Sequence, residues 1–276
     1  MKRNWLYNKT VVITGASGGL GFAIAKLLIE KYDCNVIGIA RNEKKLLSAI
    51  ETLGDKKAKF TYQLFDVSKK ENWQNFSDYL TKNQINIDIL INNAGFMLKF
   101  ATFDKYSDDE IVEIVNTNFF SVVNSTKVLL PLLKQSKTPA IINIASSAGL
   151  CAVVGQSMYC ATKHAVKGFT ETLIQDYKKQ IYVCGVYPGF IKTDIFNRQQ
   201  VDTKDNKLIN KVMMPVSKAA KKVVRNISKG KKRVVMGFDG RYMGLSGRLF
   251  PQTTPSLIRG VLKASKQELF KDVFEQ

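Results

Sequence analysis

Short runs of β-branched and apolar residues alternate with helix-like segments along most of this 276-residue chain, and that alternation leaves very few folds open to it. Strands are expected at Thr10–Ile13, Asn35–Ala40, Phe60–Phe65, Ile87–Ile91, Ala140–Ile144 and Ile181–Val186, with a last one at Arg233–Gly237. Helical segments fall between them at Phe22–Ile29, Glu43–Leu53, Trp73–Lys82, Asp108–Leu133, around Tyr159, and at Ser217–Ile227. Most of the strands are apolar at nearly every position, whereas a strand with one wet face would alternate. Strands buried on both faces need helices above and below them. The expected fold class is therefore α/β, a doubly wound parallel sheet of about seven strands with helices on both faces. No linker rich in Pro, Gly or Ser interrupts it, so residues 1–240 read as one domain and residues 241–276 as a C-terminal extension packing on it.

Composition narrows the functional classes. A hydrophobic content of 45% suits a large core and excludes a disordered chain. The formal net charge is +19, with basic runs at Lys218–Lys222 and Lys229–Arg233. Lysine dominates and no nucleic-acid module is present, so the charge is read as a solvated surface and no nucleic-acid partner is expected. The same potential attracts an anionic cofactor. Cys34, Cys151, Cys160 and Cys184 form no CxxC pair and His164 is the single histidine, so no metal site is expected and a reducing compartment fits. On a helix His164 points about 100° away from Lys163, which argues against it as a catalytic base. Met1-Lys2-Arg3 and the apolar stretch from Val11 to Ile29 imitate a targeting signal, but Gly15, Gly18, Gly19 and Gly21 break it. The expected location is cytoplasmic.

Thr14-Gly15-Ala16-Ser17-Gly18-Gly19-Leu20-Gly21 lies between the first strand and the first helix. Glycines there permit a tight turn and let backbone amides and the helix N-terminus meet a pyrophosphate. The second strand ends at Ala40 and is followed by Arg41, with no carboxylate before Glu43. A carboxylate would bind the ribose hydroxyls of NAD, whereas a guanidinium pairs with a 2′-phosphate, with Ser17 as a second donor. The expected cofactor is NADP(H).

Tyr159 and Lys163 are four residues apart, one turn on the same helix face, and Ser146 lies thirteen residues before the tyrosine. A cation beside a phenol favours the phenolate, which would bring Tyr159 toward neutral pH for acid–base chemistry on an oxygen.

Taken with Asn92-Asn93-Ala94-Gly95 after the fourth strand and Pro188-Gly189 after the sixth, these motifs resemble the short-chain dehydrogenase/reductase family in its Rossmann-type single-domain form. The resemblance spans about residues 8 to 240. It implies that Tyr159 is the catalytic acid/base, that Lys163 tunes it and holds the nicotinamide ribose, and that Ser146 binds the substrate oxygen. Ser147 adjoins Ser146, but the spacing to Tyr159 and the Ser-x-x-Gly pattern ending at Gly149 favour Ser146. By the same resemblance Asn118 holds a proton-relay water. Gly15, Ser17, Gly19, Leu20, Gly21, Arg41, Asp66, Val67, Asn92, Ile191 and Thr193 join Tyr159 and Lys163 in binding the cofactor. Homo-oligomers, dimers or tetramers, are implied through the helices after the fourth and fifth strands.

Substrate contacts are expected from Phe96–Phe100, Leu150–Val154 and Phe196–Met214, all rich in bulky apolar residues. They point to a bulky apolar substrate, a small-molecule hydrophobic ketone or alcohol. The first expectation is a hydroxysteroid-dehydrogenase-like enzyme interconverting a carbonyl and a secondary alcohol. The alternative is a reductase of a lipid or acyl-chain ketone, for which peripheral membrane contact is open to the basic, apolar tail. A non-enzymatic dinucleotide-sensing or nucleic-acid-binding protein is the remote third. Replacing Arg41 by Asp is expected to turn cofactor preference from NADPH to NADH; titration of each dinucleotide checks it, and an unchanged NADPH affinity would overturn the assignment.

Overall fold

The computed structural model describes residues 5–193, 213–265 and 267–275. The chain runs β1 (Thr10–Thr14), α1 (Gly19–Tyr32), β2 (Asn35–Ala40), α2 (Glu43–Glu51), β3 (Phe60–Leu64), α3 (Lys70–Lys82) and β4 (Ile89–Asn92). Then come α4 (Asp108–Val115), a π-helical turn (Asn116–Phe120), α5 (Ser121–Leu133), β5 (Ala140–Ile144), α6 (Ser157–Asp176) and β6 (Tyr182–Pro188). Helix α7 (Val216–Ser228) and β7 (Arg233–Met236) complete a sheet of seven strands among the described residues, in the order β3-β2-β1-β4-β5-β6-β7. Every pairing is parallel. The expected doubly wound sheet is the observed one.

Strand period explains the two layers. Val11, Ile13, Val36, Ile89, Ile91, Ile142 and Val186 point to one face, where Ile24, Leu28, Val223 and Ile227 of α1 and α7 cover them. Val12, Ile37, Leu90, Ile141 and Val183 point to the other, against Trp73, Phe76, Leu80, Leu129, Leu133 and Leu173 of α3, α5 and α6. Both faces are dry, which is why these strands carry almost no polar positions.

A polar exception ties the centre together. Asn92 Nδ2 donates to Asn143 Oδ1 across β4 and β5 at 2.9 Å, and Ser125 Oγ of α5 donates to Asn92 Oδ1 at 2.7 Å. Asn143 Nδ2 in turn donates to Thr170 Oγ1 of α6 at 2.9 Å. All four side chains are buried, so each bond replaces water that cannot reach them.

The structure departs from the expected elements at two informative places. Helix α1 begins at Gly19 and so takes in Leu20 and Gly21, because its first turn also serves as the floor of the glycine loop. The single helix expected over Asp108–Leu133 is divided by the π turn at Asn116–Phe120, which inserts an extra residue into the ladder and carries Asn118. Beyond β7, α8 (Phe238–Leu249) runs across Gly240, where the minimal domain was expected to end, and is followed by α9 (Thr253–Ala264). A turn at Glu268–Phe270 and α10 (Lys271–Phe274) then bring Leu269, Phe270 and Val273 back against Phe100, whose ring is 4.9 Å from that of Phe270.

Replacing Asn143 by Leu strips Asn92 of its best acceptor and Thr170 of a donor inside the core. Urea denaturation is expected to show a loss of roughly 1–3 kcal/mol; an unchanged midpoint would mean that the network adds nothing to stability.

Candidate active site

Neighbouring strands β1 and β4 send their chains to opposite sides of the sheet, and a crevice opens beyond their C-terminal ends. Thr14 closes its floor: its Oγ1 accepts from the backbone amides of Asn93 and Ala94, both at 2.9 Å. Asn93 Nδ2 returns a bond to Thr14 O at 2.9 Å, clamping the two strand ends together. Gly15 at φ +67° and Gly19 at φ +52° hold the left-handed conformations of the loop between β1 and α1. A Cβ on Gly15 would lie 2.9 Å from Asn93 Nδ2, and one on Gly21 would collide with the Gly15 carbonyl and Asn93. The first turn of α1 contains no acidic residue, so its amide dipoles face the crevice uncompensated.

A cleft of about 530 Å³ occupies this crevice. Gly15, Ser17, Gly19, Leu20, Arg41, Ser146, Tyr159, Lys163, Ile191 and Thr193 line it, so most of the expected site residues, drawn from β1 through β6, meet in one place. The amide-rich loop, the bare helix N-terminus and exposed Arg41 fit the phosphates of a dinucleotide. Five expected residues do not line the cleft. Gly21 lies beneath the loop, and the Asn92 amide is spent in the buried network on Asn143, Ser125 and Thr126. Asp66 Oδ1 accepts from Ser68 N, and the Val67 carbonyl accepts from Trp73 Nε1. Asn118 is fully buried behind the wall.

That wall is Gly95. A Cβ there would lie 3.0 Å from Asn118 Oδ1 and 3.2 Å from Lys163 Nζ, so the absence of a side chain opens the path to both groups. Asn118 accepts from Phe96 N and donates to Phe96 O, each at 2.9 Å, a two-point attachment that the π turn makes possible by rotating this residue inward.

Helix α6 presents Tyr159 and Lys163 on its buried face, with Lys163 Nζ 5.6 Å from the centre of the Tyr159 ring and 3.5 Å from Ile144 O. Of the two adjacent serines, it is Ser146 whose hydroxyl acts on the Tyr159 phenol, lowering its pKa; its Oγ accepts from Ala148 N at 3.2 Å. Burial pushes the Tyr159 phenol up to about 12 against a smaller lowering by the Ser146 hydroxyl, and pushes Lys163 down to about 8. The expected lowering of the phenol by its lysine is therefore reversed in the protein alone, because desolvation penalises both charged forms at once. His164 is exposed, with Nδ1 2.9 Å from Cys160 O, and faces away from the cleft.

Sequence reasoning missed several contributors. Asn93, not Asn92, faces the crevice, since successive strand residues point to opposite sides. Lys45 also lines the cleft, with Cε 3.1 Å from where a Cβ on Gly18 would stand; its position one turn after Arg41 was the available signal. Met243 of α8 had none. Phe96, Met97, Phe100 and Val153 border the cleft as expected of their segments. Of Phe196–Met214, residues 196–212 lie outside the described residues; Met213 is buried beside Phe96, and Met214 pairs with Ile191.

The chain matches the profile of the short chain dehydrogenase family over residues 9–204. It is 34% identical over 229 residues to the 3-oxoacyl-(acyl-carrier-protein) reductase FabG of Chlamydia trachomatis, covering 78% of this chain and 89% of that one. It is 32% identical over 272 residues to the oxidoreductase SadH of Mycobacterium tuberculosis, covering 92% and 96%. With the 3-ketodihydrosphingosine reductase of Bacteroides thetaiotaomicron it shares 31% over 192 residues, covering 69% and 67%. Among solved structures, a short chain dehydrogenase from Burkholderia cenocepacia in complex with NADP superimposes with a TM-score of 0.76 at 20% identity, covering 92% of this chain and 98% of that one. One from Burkholderia phymatum in complex with NAD gives 0.77 at 21%, covering 97% and 98%. The chain belongs to the short-chain dehydrogenase family and is an oxidoreductase of that type.

Burial of Lys163 has a measurable consequence. Below about pH 8 the folded state holds a desolvated ammonium; between about 8 and the ordinary 10.5 the unfolded chain binds the proton that the folded one has lost. Stability therefore rises with pH across that window. Lys163→Met is expected to stabilise the cofactor-free protein at pH 7 by up to roughly 3 kcal/mol, the gain vanishing above the window. Urea unfolding of both proteins on either side of the window checks this; equal stabilities throughout would show that Lys163 carries no desolvation penalty.

Proposed function

We propose that this protein is an NADP(H)-dependent reductase of a lipid or acyl-chain ketone. The observation that carries the reading is the convergence of Ser146, Tyr159 and Lys163 on the same cleft as the glycine loop and Arg41. Arg41 and Lys45 supply two cations where a 2′-phosphate would sit, which favours NADP(H) over NAD(H). A dinucleotide held in this cleft would supply the hydride for the carbonyl carbon.

The chain's residues handle the oxygen. With its phenol held near 12, Tyr159 is protonated at neutral pH and donates to the developing alkoxide. Ser146 lines the same cleft beside the phenol and would hydrogen-bond the same oxygen. Lys163 would hold the nicotinamide ribose and, through a water beside Asn118, would return a proton to Tyr159. Gly15, Ser17, Gly19 and Leu20 would hold the pyrophosphate, with Gly21 packed beneath the loop, and Ile191 and Thr193 would hold the carboxamide; Asp66, Val67 and Asn92 lie off the cleft and would support the adenosine end only from behind.

Phe96, Met97, Phe100, Val153 and Met243 give the cleft an apolar wall suited to an alkyl chain. Two relatives are named for 3-oxoacyl and 3-ketodihydrosphingosine substrates, which supports the acyl or lipid ketone over the steroid-like one. Self-association is assigned to the α4–α5 and α6 side, where Val112 and Phe120 are exposed.

NADPH consumption against 3-oxoacyl thioesters, a 3-ketosphingoid base and steroid ketones tests the reading. Turnover of an acyl or sphingoid ketone with NADPH is expected, and Tyr159→Phe is expected to lower kcat at least roughly a hundredfold while NADPH binding persists. Activity confined to steroids would overturn the substrate, and a Phe variant that keeps most of its activity would remove Tyr159 from the chemistry.

A further inference from the structure

Helix α8 distributes its side chains in the reverse of the usual order for a surface helix. Its buried side carries small residues: Gly240 against Gly189, Gly244 against Leu150, and Gly247 against Cys151 and the Leu150 carbonyl. Asp239 anchors that side by accepting a 2.6 Å bond from Phe190 N. Its outer side carries the large apolar residues. Phe238, Tyr242, Leu245 and Leu249 are spaced by four, three and four residues and so fall within an arc of about 60°. Phe238 is 89% exposed and Leu245 65%. Phe250 at the corner and Leu257 and Val261 on the following helix α9 are exposed as well, Val261 at 70%.

A ridge of this size on one element is unlike the isolated apolar residues normal on a protein surface, and something covers it. Charge identifies what. Arg241, Arg248, Arg259 and Lys263 are all exposed on the same two helices, whose sole acidic residue, Asp239, is turned inward onto Phe190. A second copy would bring its own arginines against these and repel. An anionic lipid surface satisfies both parts, the apolar ridge entering the acyl boundary and the basic side chains meeting headgroup phosphates. No helix among the described residues is long and apolar enough to cross a membrane, so the contact is with one leaflet.

We propose that α8 and α9 form a docking face for the surface of an anionic bilayer. The inner side of α8 contributes Met243 to the cleft, so the docked helix is also the wall past which an apolar substrate enters from the lipid. That entry route rests on the reductase reading; the docking itself does not.

The test is sedimentation of the full chain with phosphatidylcholine vesicles, with and without phosphatidylserine, at low and at high salt. Binding to the anionic vesicles is expected, weakened by salt. The triple variant Phe238→Ser, Leu245→Ser, Leu249→Ser alters only exposed side chains outside the cleft and is expected to bind roughly tenfold more weakly or worse, with its thermal midpoint retained. Leu47→Ser with Leu64→Ser, exposed apolar residues elsewhere, is expected to leave binding unchanged. Arg241→Glu with Arg248→Glu provides a second variant that keeps the ridge and is expected to abolish the preference for phosphatidylserine. Absence of binding at low salt, or equal binding by wild type and triple variant, would overturn the proposal. So would a dimer dispersed by the same three substitutions without any vesicle binding, which would give the face to a second copy. Because the readout is lipid binding and not turnover, either result leaves the reductase reading standing or falling on its own assay.

Discussion

Everything in this molecule depends on a parallel sheet that has to be dry on both sides. Parallel strands cannot be joined by tight turns, so each connection is a crossover carrying a helix, and the helices must cover two faces. The chain does this by winding one way from β1 toward β3 and the other way from β4 toward β7. The change of direction between β1 and β4 leaves a crevice at the C-terminal ends of the strands. The site is thus a by-product of covering the sheet, and Thr14 and Asn93 tie its two lips together.

The same dryness sets the chemistry. Tyr159 and Lys163 are buried together, and desolvation moves one up to about 12 and the other down to about 8. Both shifts favour the neutral pair, so the protein by itself stores a proton on the phenol and holds its lysine close to losing one. That is a poise for donating a proton to an oxygen, with the desolvated Lys163 ammonium held beside the phenol below about pH 8. Asn118 and Gly95 complete the arrangement from the opposite wall, one by being fixed to Phe96, the other by having no side chain.

Much of this was legible from residue order. The apolar strands carry their own evidence of double burial, and the glycine turn, Arg41, Ser146, Tyr159 and Lys163 fall where their spacings place them, within one cleft. What could not be read depended on direction and not on order. Whether Asn92 or Asn93 faces the crevice turns on which way each side chain leaves β4. The division of Asp108–Leu133 at Asn116–Phe120 leaves no mark in hydrophobic periodicity, since the π turn adds one residue to an otherwise regular ladder. The direction of the Tyr159 shift depended on how deeply helix α6 is buried, which spacing along a helix does not report.

The sequence by itself determined the sheet, its crossovers and the identity of most of the groups that line the cleft, because burial pattern and turn chemistry are local properties of the chain. Only the tertiary structure decided that Lys45 joins Arg41, that Gly95 stands open before Lys163, and that the tail after β7 returns Met243 to the cleft. It also decided which side of α8 faces out. Phe238, Tyr242, Leu245 and Leu249 read as an ordinary core face until the glycines opposite them are seen packed against Gly189, Leu150 and Cys151, a reversal that depends on what surrounds the helix and not on the helix itself.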